Sequence, residues 1–252
     1  MNDLMSQAKE ERIAAVEAAM LGSIVGDALG VPVEFTRRDA LRRSLVTAMR
    51  AYGTHQQPSG TWSDDSSLML CLAESLIERG IDVHDQSSRF VAWMRDAIWT
   101  PHGEVFDIGN ATQEAILRLE AGVEPTAAGP VGESHCGNGS LMRILPIGLY
   151  LAFAEREERA KVAANCSRLT HGHPRCQLAC VMFTEVVASL VRGNELDVSL
   201  ASGREILSEY LTREFPEEAI FFERLLSPSL GDLKEDDVAS SGYVIHCLEA
   251  SL

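Results

Sequence analysis

The chain has 252 residues, of which 46% are hydrophobic and 23% are charged, and its formal net charge is −15. That length is enough to bury a substantial core, and the composition is that of an ordinary globular protein. Because no basic block offsets the acidic charge, the sequence argues against nucleic acid or an anionic membrane as a partner. A small anionic ligand is compatible with it if helix N-termini or bound cations neutralise the acids locally.

Nothing in the sequence suggests export. The first twenty residues, MNDLMSQAKEERIAAVEAAM, are charged and lack the apolar stretch of a signal peptide. We also expect no apolar run long enough to span a bilayer. Six cysteines are scattered along the chain, which favours reduced thiols over a disulfide framework. They are Cys71, Cys136, Cys166, Cys176, Cys180 and Cys247. We therefore predict a cytoplasmic protein without a membrane partner.

Helical periodicity of apolar residues dominates the chain, and strand-like alternation is nearly absent. One helical face spans 13–29, and a second spans 68–76 with Gly80 as its stop. Further helices are predicted at 86–99, 111–119, 141–153, 157–169, 176–191, 204–212 and 217–226. The sequence has no internal repeat and no low-complexity linker, so we predict one all-α domain over residues 1–252.

Four loops and a fifth, shorter break interrupt these helices where glycine, proline and polar residues collect. They are 30–35, 53–65, 106–110, 129–140 and 170–174. In an all-α domain, polar residues at such breaks are where a binding or catalytic site is assembled.

The stretch GTWSDDSS places two adjacent acids at a predicted helix start. Ser63 suits an N-cap, and an acid in the first turn gains ~0.3–1 kcal/mol from the helix dipole. This explains one of Asp64 and Asp65, but two are more than capping requires. A hydroxyl and two carboxylates are also hard oxygen ligands for Mg²⁺ or Mn²⁺. The local sequence leaves open both an acidic helix start and a cation site.

The segment GSIVGDALGVPVEF carries Gly22, Gly26 and Gly30 at four-residue spacing, which predicts close approach of another helix. It also embeds Asp27 and Glu34 in an otherwise apolar stretch, where an acid must be paired, hydrated or metal-bound. We interpret Asp27 as a buried hydrogen-bond anchor. For Glu34, a structural role and a functional role both stay open.

A glycine-rich turn, Gly137-Asn138-Gly139-Ser140, precedes the helix predicted from Leu141. Free backbone N–H groups at a helix N-terminus suit phosphate, and an ordinary glycine turn with a serine cap is the alternative. The turn is neither a Walker loop nor a dinucleotide-binding fingerprint.

The segment CSRLTHGHPRCQLAC holds two histidines and three cysteines. Their order and spacing match no standard zinc finger or ribbon. We interpret the cysteines as core residues and His-Gly-His-Pro as a helix connection that offers a ring to a pocket. No Ser/His/Asp triad follows from the spacing, and GxSxG does not occur.

Taken in order, six segments resemble the ADP-ribosylglycohydrolase family, which includes the dinitrogenase-reductase-activating glycohydrolases. They are GSIVGDALGVPVEF, GTWSDDSSLMLCLAESL, FDIGNAT, GNGSLMRILPIGL, THGHP and SSGYVIHCLEASL. The resemblance implies an orthogonal all-α domain with a centre of two Mg²⁺ or Mn²⁺ ions. It implies a hydrolase that removes ADP-ribose from a modified protein side chain or acts on a related ADP-ribose compound. The partner would then be ADP-ribose or an ADP-ribosylated protein.

The same resemblance implies the metal ligands and the catalytic acids. Glu34, Ser63, Asp64 and Asp65 match the metal-binding positions, with serine in place of the usual threonine. The implied catalytic residues are Glu34, Asp64, Asp65 and Asp107, the last of which belongs to FDIGNAT.

The substrate-binding positions are also implied by the resemblance. They are Gly137, Asn138, Gly139, Ser140, His171, Gly242 and Tyr243. The glycine-rich turn matches the segment that wraps the diphosphate and distal ribose, the histidine matches a substrate contact, and the last two residues match a stretch near the adenine. An aromatic residue often precedes this turn in the family, whereas His135 and Cys136 stand there in this chain.

The family completes its metal centre with an Asp-x-Asp-Thr motif downstream of the GYV segment, and no such motif occurs in the 252 residues. We therefore expect a domain truncated at its C-terminus, in which waters complete the cation's oxygen shell at reduced affinity. This leaves as an alternative a catalytically impaired ADP-ribose-binding, regulatory or immunity-type protein of the same fold. A purely structural derivative is disfavoured because the polar motifs are kept.

Overall fold

Helices and turns account for the regular structure of residues 2–252, the part of the chain that the computed structural model describes; side chains are described for residue 10 and residues 12–252. The α-helices are Asn2–Gly30 (α1), Arg38–Arg43 (α2), Asp64–Arg79 (α3), Val83–Asp96 (α4), Asn110–Glu120 (α5), Leu145–Tyr150 (α6), Arg156–Arg168 (α7), Pro174–Val191 (α8), Leu196–Arg213 (α9), Ala219–Leu226 (α10) and Val244–Ser251 (α11). Within this range the only strand-like pairing is an isolated antiparallel bridge between Gly137 and Tyr243. The predicted all-α class is confirmed.

Local side-chain chemistry sets several helix ends. The Ser63 side chain accepts a hydrogen bond from the amide of Asp65 and caps α3, and Gly80 ends that helix with a φ of 70°, as predicted. Asp82 caps α4 by accepting from two amides of its first turn. That helix therefore begins three residues before the predicted start.

Other boundaries differ from the prediction. The helix expected over 141–153 is reduced to α6, with Pro146 in its first turn. Proline lacks the amide that an interior position donates, so it is tolerated only at such a start. The helix expected over 204–212 extends back to Leu196, and α2 was not predicted.

The core is built around α8, which packs against α6, α7, α9 and α11. Most of its side chains are buried. A buried ion pair crosses from α7 to α8, where the Arg159 Nε donates to Glu185 Oε2 at 2.9 Å. Since α3 packs against α4 and α6, and α4 packs against α5, the loops that precede α3, α5 and α6 are carried by one set of packed helices.

Two segments are long and apolar enough to cross a bilayer, so the expectation that no such run exists is wrong by length and composition. They are Pro174–Val191 and Arg12–Val33. The first is 72% buried and is the core helix α8, whereas only 6% of the second is buried. Along α1 a Cβ added at Gly22 or Gly26 would meet nothing within 4 Å. The predicted close helix approach on this glycine face is therefore absent among the described residues.

Candidate active site

A cavity of about 850 Å³ brings the predicted catalytic acids together, and its wall includes Glu34, Asp64, Asp65 and Asp107. That volume lies in the range of small-molecule sites. An adjoining cavity of about 440 Å³ shares Glu34, Asp65 and Asp107 and adds Ser63. The acids and the hydroxyl predicted as metal ligands therefore lie between two connected spaces.

The carboxylate of Asp27, from α1, organises the start of α3. Its Oδ1 accepts from Ser63 Oγ at 2.8 Å, and its Oδ2 accepts from Ser66 Oγ at 2.6 Å and from Ser66 N at 3.1 Å. The amide of Ser63 donates to it as well, at 3.0 Å. Charged acceptors of this kind form the stronger protein hydrogen bonds. The role of Asp27 as a hydrogen-bond anchor is confirmed, although the residue is half-buried and not buried as predicted. The turn that it fixes carries Asp64 and Asp65.

The contacts of Ser63 are compatible with both interpretations that the sequence left open, an acidic helix start and a cation site. Its hydroxyl donates to Asp27 and accepts from the amide of Asp65 at 3.3 Å. A hydroxyl has one proton and two lone pairs, so one lone pair is left over. The residue caps the helix and also keeps an oxygen that a cation can use.

Burial and the negative charge of neighbouring acids disfavour the ionised forms of Asp64, Asp65 and Asp107. Burial and then the charge of Asp65 hold the pKa of Asp64 well above its usual range. Burial and the charge of Asp27 raise the pKa of Asp65 to about 8. Burial and a hydrogen bond with Glu34 raise the pKa of Asp107 to about 7. A divalent cation offsets such repulsion. Because the donors are carboxylates and a hydroxyl, they fit Mg²⁺ or Mn²⁺.

His55, which the sequence analysis did not single out, contacts two of these acids. Its Nε2 lies 2.6 Å from Glu34 Oε2 and 3.7 Å from Asp107 Oδ2. Its ring lies between Phe35 and Phe106, with centroid distances of 6.0 and 5.4 Å. The one signal in the sequence was its position in a loop predicted to collect polar residues.

The glycine-rich turn is joined to the GYV segment by backbone hydrogen bonds. The amide of Asn138 donates to Gly242 O at 2.9 Å, and the amide of Val244 donates to Cys136 O at 3.0 Å. Because the Asn138 amide is used in this way, it is not free for phosphate. The prediction that the turn sits at a helix N-terminus at Leu141 is wrong.

Five of the seven predicted substrate-binding residues line the large cavity, namely Gly137, Asn138, Gly139, His171 and Gly242. The other two side chains lie elsewhere. The fully buried hydroxyl of Ser140 accepts from Ser167 Oγ at 3.0 Å. The ring of Tyr243 packs edge-on against His246 with a centroid distance of 5.0 Å. The structure therefore places both outside the cavity wall.

His171 offers the cavity a neutral ring. It is 2% exposed, and burial, together with the charge of Arg143, lowers its pKa to about 3. Its Nδ1 lies 2.8 Å from Thr170 Oγ1. At neutral pH this imidazole can donate or accept a hydrogen bond but adds no positive charge for a diphosphate.

Arg143 is a second residue that the sequence analysis missed. Its guanidinium is fully buried and lies 4.7 Å from the ring centroid of Phe90. It donates to Gly139 O at 2.6 Å and to Cys166 O at 3.2 Å. A charged donor in the core thus holds the glycine-rich turn in place. The sequence feature that could have identified it is an arginine inside the apolar run LMRILPIGL.

Replacing Gly139 by alanine is expected to weaken binding of ADP-ribose, the ligand that the resemblance implies, about tenfold, or ~1.4 kcal/mol. The added Cβ would lie 2.7 Å from Cε1 of His171 and 3.1 Å from Oγ1 of Thr112, so the imidazole must move. Titration calorimetry with ADP-ribose measures the change. Gly137→Ala is the matched control, because its Cβ would meet its nearest atom, His171 Nε2, at 3.7 Å. Equal losses in the two variants would contradict this account.

The sequence model of the ADP-ribosylglycohydrolase family matches residues 5–252. The chain belongs to this family. It is 28% identical over 250 residues to the ADP-ribosylarginine hydrolase Tri1 of Pseudomonas putida strain GB-1, covering 96% of this chain and 62% of that protein. It is 29% identical over 202 residues to the ADP-ribosyl-[dinitrogen reductase] glycohydrolase of Rhodospirillum rubrum, covering 76% of this chain and 63% of that protein.

Among solved structures, an ADP-ribosylglycohydrolase-related protein complex superposes with a TM-score of 0.75 at 30% sequence identity. The match covers 96% of this chain and 75% of that one. The all-α fold of the ADP-ribosylglycohydrolases is thus confirmed for this member. The chain spans about three fifths of the length of the curated relatives it matches.

Proposed function

We propose that this ADP-ribosylglycohydrolase is a divalent-metal-dependent hydrolase that removes ADP-ribose from a modified protein side chain. The observation that carries the proposal is the cavity that unites the acid cluster with the glycine-rich turn and His171. The names of the relatives, which refer to ADP-ribosylarginine and to dinitrogen reductase, favour a protein substrate.

Glu34, Ser63, Asp64 and Asp65 would hold Mg²⁺ or Mn²⁺, and the family expectation is two ions. A cation there supplies a Lewis acid that stabilises charge developing on oxygen in the transition state. The fit rests on the all-oxygen donor set and on the raised pKa of Asp64 and of its neighbours.

The reaction breaks the bond between the ribose anomeric carbon and the oxygen or nitrogen of the side chain. It forms a bond from that carbon to the oxygen of water. Glu34 or Asp107 accepts the proton that the water loses, and that proton passes, directly or through solvent, to the departing side chain, which regenerates the carboxylate.

The rest of the cavity suits the remainder of ADP-ribose. The backbone of residues 137–139 and of Gly242 faces it, and His171 adds a neutral hydrogen-bonding ring. Arg37 and Arg38 line the same cavity and bring positive charge to a wall that carries four acids, although the Arg38 guanidinium also donates to the carbonyls of Glu235 and Val238. We infer that Arg37, His171 and the backbone of Gly137 and Gly139 bind the diphosphate and the distal nucleoside, while the Asn138 amide keeps its hydrogen bond to Gly242 O.

The test is release of ADP-ribose from an ADP-ribosylated protein with Mg²⁺, with Mn²⁺ and after metal removal by EDTA. We expect release that requires the metal and that falls to background in Asp64→Ala. Absence of metal-dependent release contradicts the hydrolase proposal. If calorimetry on the same samples still detects ADP-ribose binding, the catalytically impaired binding or regulatory protein becomes the better description. The single domain and the cytoplasmic location stay predictions.

A further inference from the structure

We propose that His55 is a positioning residue that orients the Glu34 carboxylate for the reaction, an inference that rests on the proposed function. It is neither a matched position of the family motifs nor one of the predicted ligands. The contacts of its loop, of its ring and of its Nε2 each support this role.

The loop that carries His55 is tied to the loop that carries Glu34. The amide of Thr54 donates to Pro32 O at 3.1 Å, and its hydroxyl donates to Glu34 O at 2.6 Å. A Cβ at Gly53 would lie 1.8 Å from Pro32 O, so only glycine allows the two backbones to come this close. The two loops are therefore joined into one structural unit.

The ring of His55 is fixed within this unit. Its side chain is 14% exposed and lies between two aromatic rings, those of Phe35 and Phe106. Phe35 and Asp107 both have a φ of 58°. Such left-handed backbone in non-glycine residues is retained where the surroundings enforce it, and it concentrates at functional sites.

The contact between His55 and Glu34 has a defined direction. A carboxylate only accepts hydrogen bonds, so His55 Nε2 carries the proton and donates to Glu34 Oε2 at 2.6 Å. Oε1 is then the oxygen left for water, a cation or the Asp107 carboxyl. The Glu34 side chain is 38% exposed, and without this donor nothing in the His55 loop would select one rotamer.

His55→Leu is expected to lower kcat about 10–100-fold with KM changed by less than about twofold, the range found when partners of ligand residues are removed. His55→Gln should recover most of the loss, since its amide nitrogen reaches the position of Nε2. His102→Leu is the matched control, because His102 contacts Thr61 Oγ1 at 2.9 Å and should leave kcat unchanged. Melting curves confirm that each variant is folded.

A second measurement separates this inference from the proposed function. Mn²⁺ affinity, followed by electron paramagnetic resonance without substrate, should fall about tenfold in His55→Leu and stay near wild type in His55→Gln. A wild-type protein that releases no ADP-ribose contradicts the proposed function, and the Mn²⁺ series then decides the role of His55 alone. Unchanged Mn²⁺ affinity in His55→Leu overturns the inference. So does an equal loss in the leucine and glutamine variants, because the imidazole would then itself be a ligand.

Discussion

Replacing Asp27 by asparagine is expected to lower the free energy of unfolding by about 2–4 kcal/mol and to remove most of the proposed activity. The carboxylate accepts from the amide and hydroxyl of Ser63 and of Ser66. Asparagine keeps the shape but offers one oxygen, and its NH₂ group faces donors. Each buried donor left without a partner costs about 1–3 kcal/mol. The turn that carries Asp64 and Asp65 would then lose its anchor.

One effect opposes this loss. The charge of Asp27 raises the pKa of Asp64 and of Asp65, so neutralising it relieves some repulsion. With Mg²⁺ present that repulsion is already offset, whereas the hydrogen bonds are still missing. We therefore expect the destabilisation to be largest in the metal-loaded protein, and the hydrogen-bond loss to exceed the gain from reduced repulsion.

Thermal unfolding and ADP-ribose release measure the two consequences of Asp27→Asn. A loss of this size corresponds to a Tm lower by about 4–16 °C for a protein of this length. Asp82→Asn is the matched control, because Asp82 caps α4 by accepting from the amides of His84 and Asp85 and asparagine caps as well as aspartate. An Asp27→Asn protein as stable and active as the control would refute the account.

The contrast between these two aspartates shows what sequence reasoning reaches. An acid in an apolar stretch must have a partner, so the anchor role of Asp27 was predictable. The identity of its partners was not, because they lie in another helix and 36 or more positions away. The helix ends show the same difference between local causes, which the sequence reveals, and distant causes, which it does not. Gly80 acts within its own turn and was placed correctly, whereas α6 is shortened by the turns that join the cavity wall.

Within the site, the motifs located the acids but not the groups that hold them. Asp64 and Asp65 are recognisable in the sequence because they are adjacent. His55 and Glu34 are 21 residues apart in the chain, and only the fold brings them into contact. The direction in which a side chain points could not be predicted from the sequence either. Ser140 belongs to the motif, yet its hydroxyl contacts Ser167 in the core. A motif fixes where the backbone runs, and packing decides which side chains face the ligand.

The second large effect concerns pH: the metal-free protein is expected to lose stability as pH rises from 6.5 to 8.5. Asp65 has a folded-state pKa of about 8 and Asp107 of about 7, against an ordinary value of 3.8. The folded state thus holds protons that the unfolded state has already released. The stability that these protons contribute is fully present below pH 3.8 and is lost as pH rises through the folded-state pKa values. Loss of the Asp65 proton alone over this window amounts to about 2 kcal/mol, or a Tm lower by roughly 4–8 °C.

Two of the other strongly shifted groups contribute little within this window, whereas a hydrogen bond with Cys176 lowers the pKa of the Cys136 thiol from 9.0 toward it. Burial lowers the pKa of His171 to about 3, so its contribution changes only below its ordinary pKa of 6.5. Burial raises the pKa of the Cys71 thiol to about 12, which matters only near its ordinary value of 9 and above. In melting curves measured in EDTA, the part of the pH dependence that Asp65→Asn removes therefore reports the acid cluster.

Asp65→Asn should flatten the pH dependence and raise the Tm of the metal-free protein at pH 8.5 while abolishing ADP-ribose release. Mg²⁺ should flatten it in the wild type, because a ligand that binds only the folded state stabilises it and replaces the protons. Parallel slopes for wild type and Asp65→Asn in EDTA would rule out the acid cluster as the source. Opposite effects of this one substitution on stability and activity would mean that the acids are held together against their own repulsion for the sake of a bound cation.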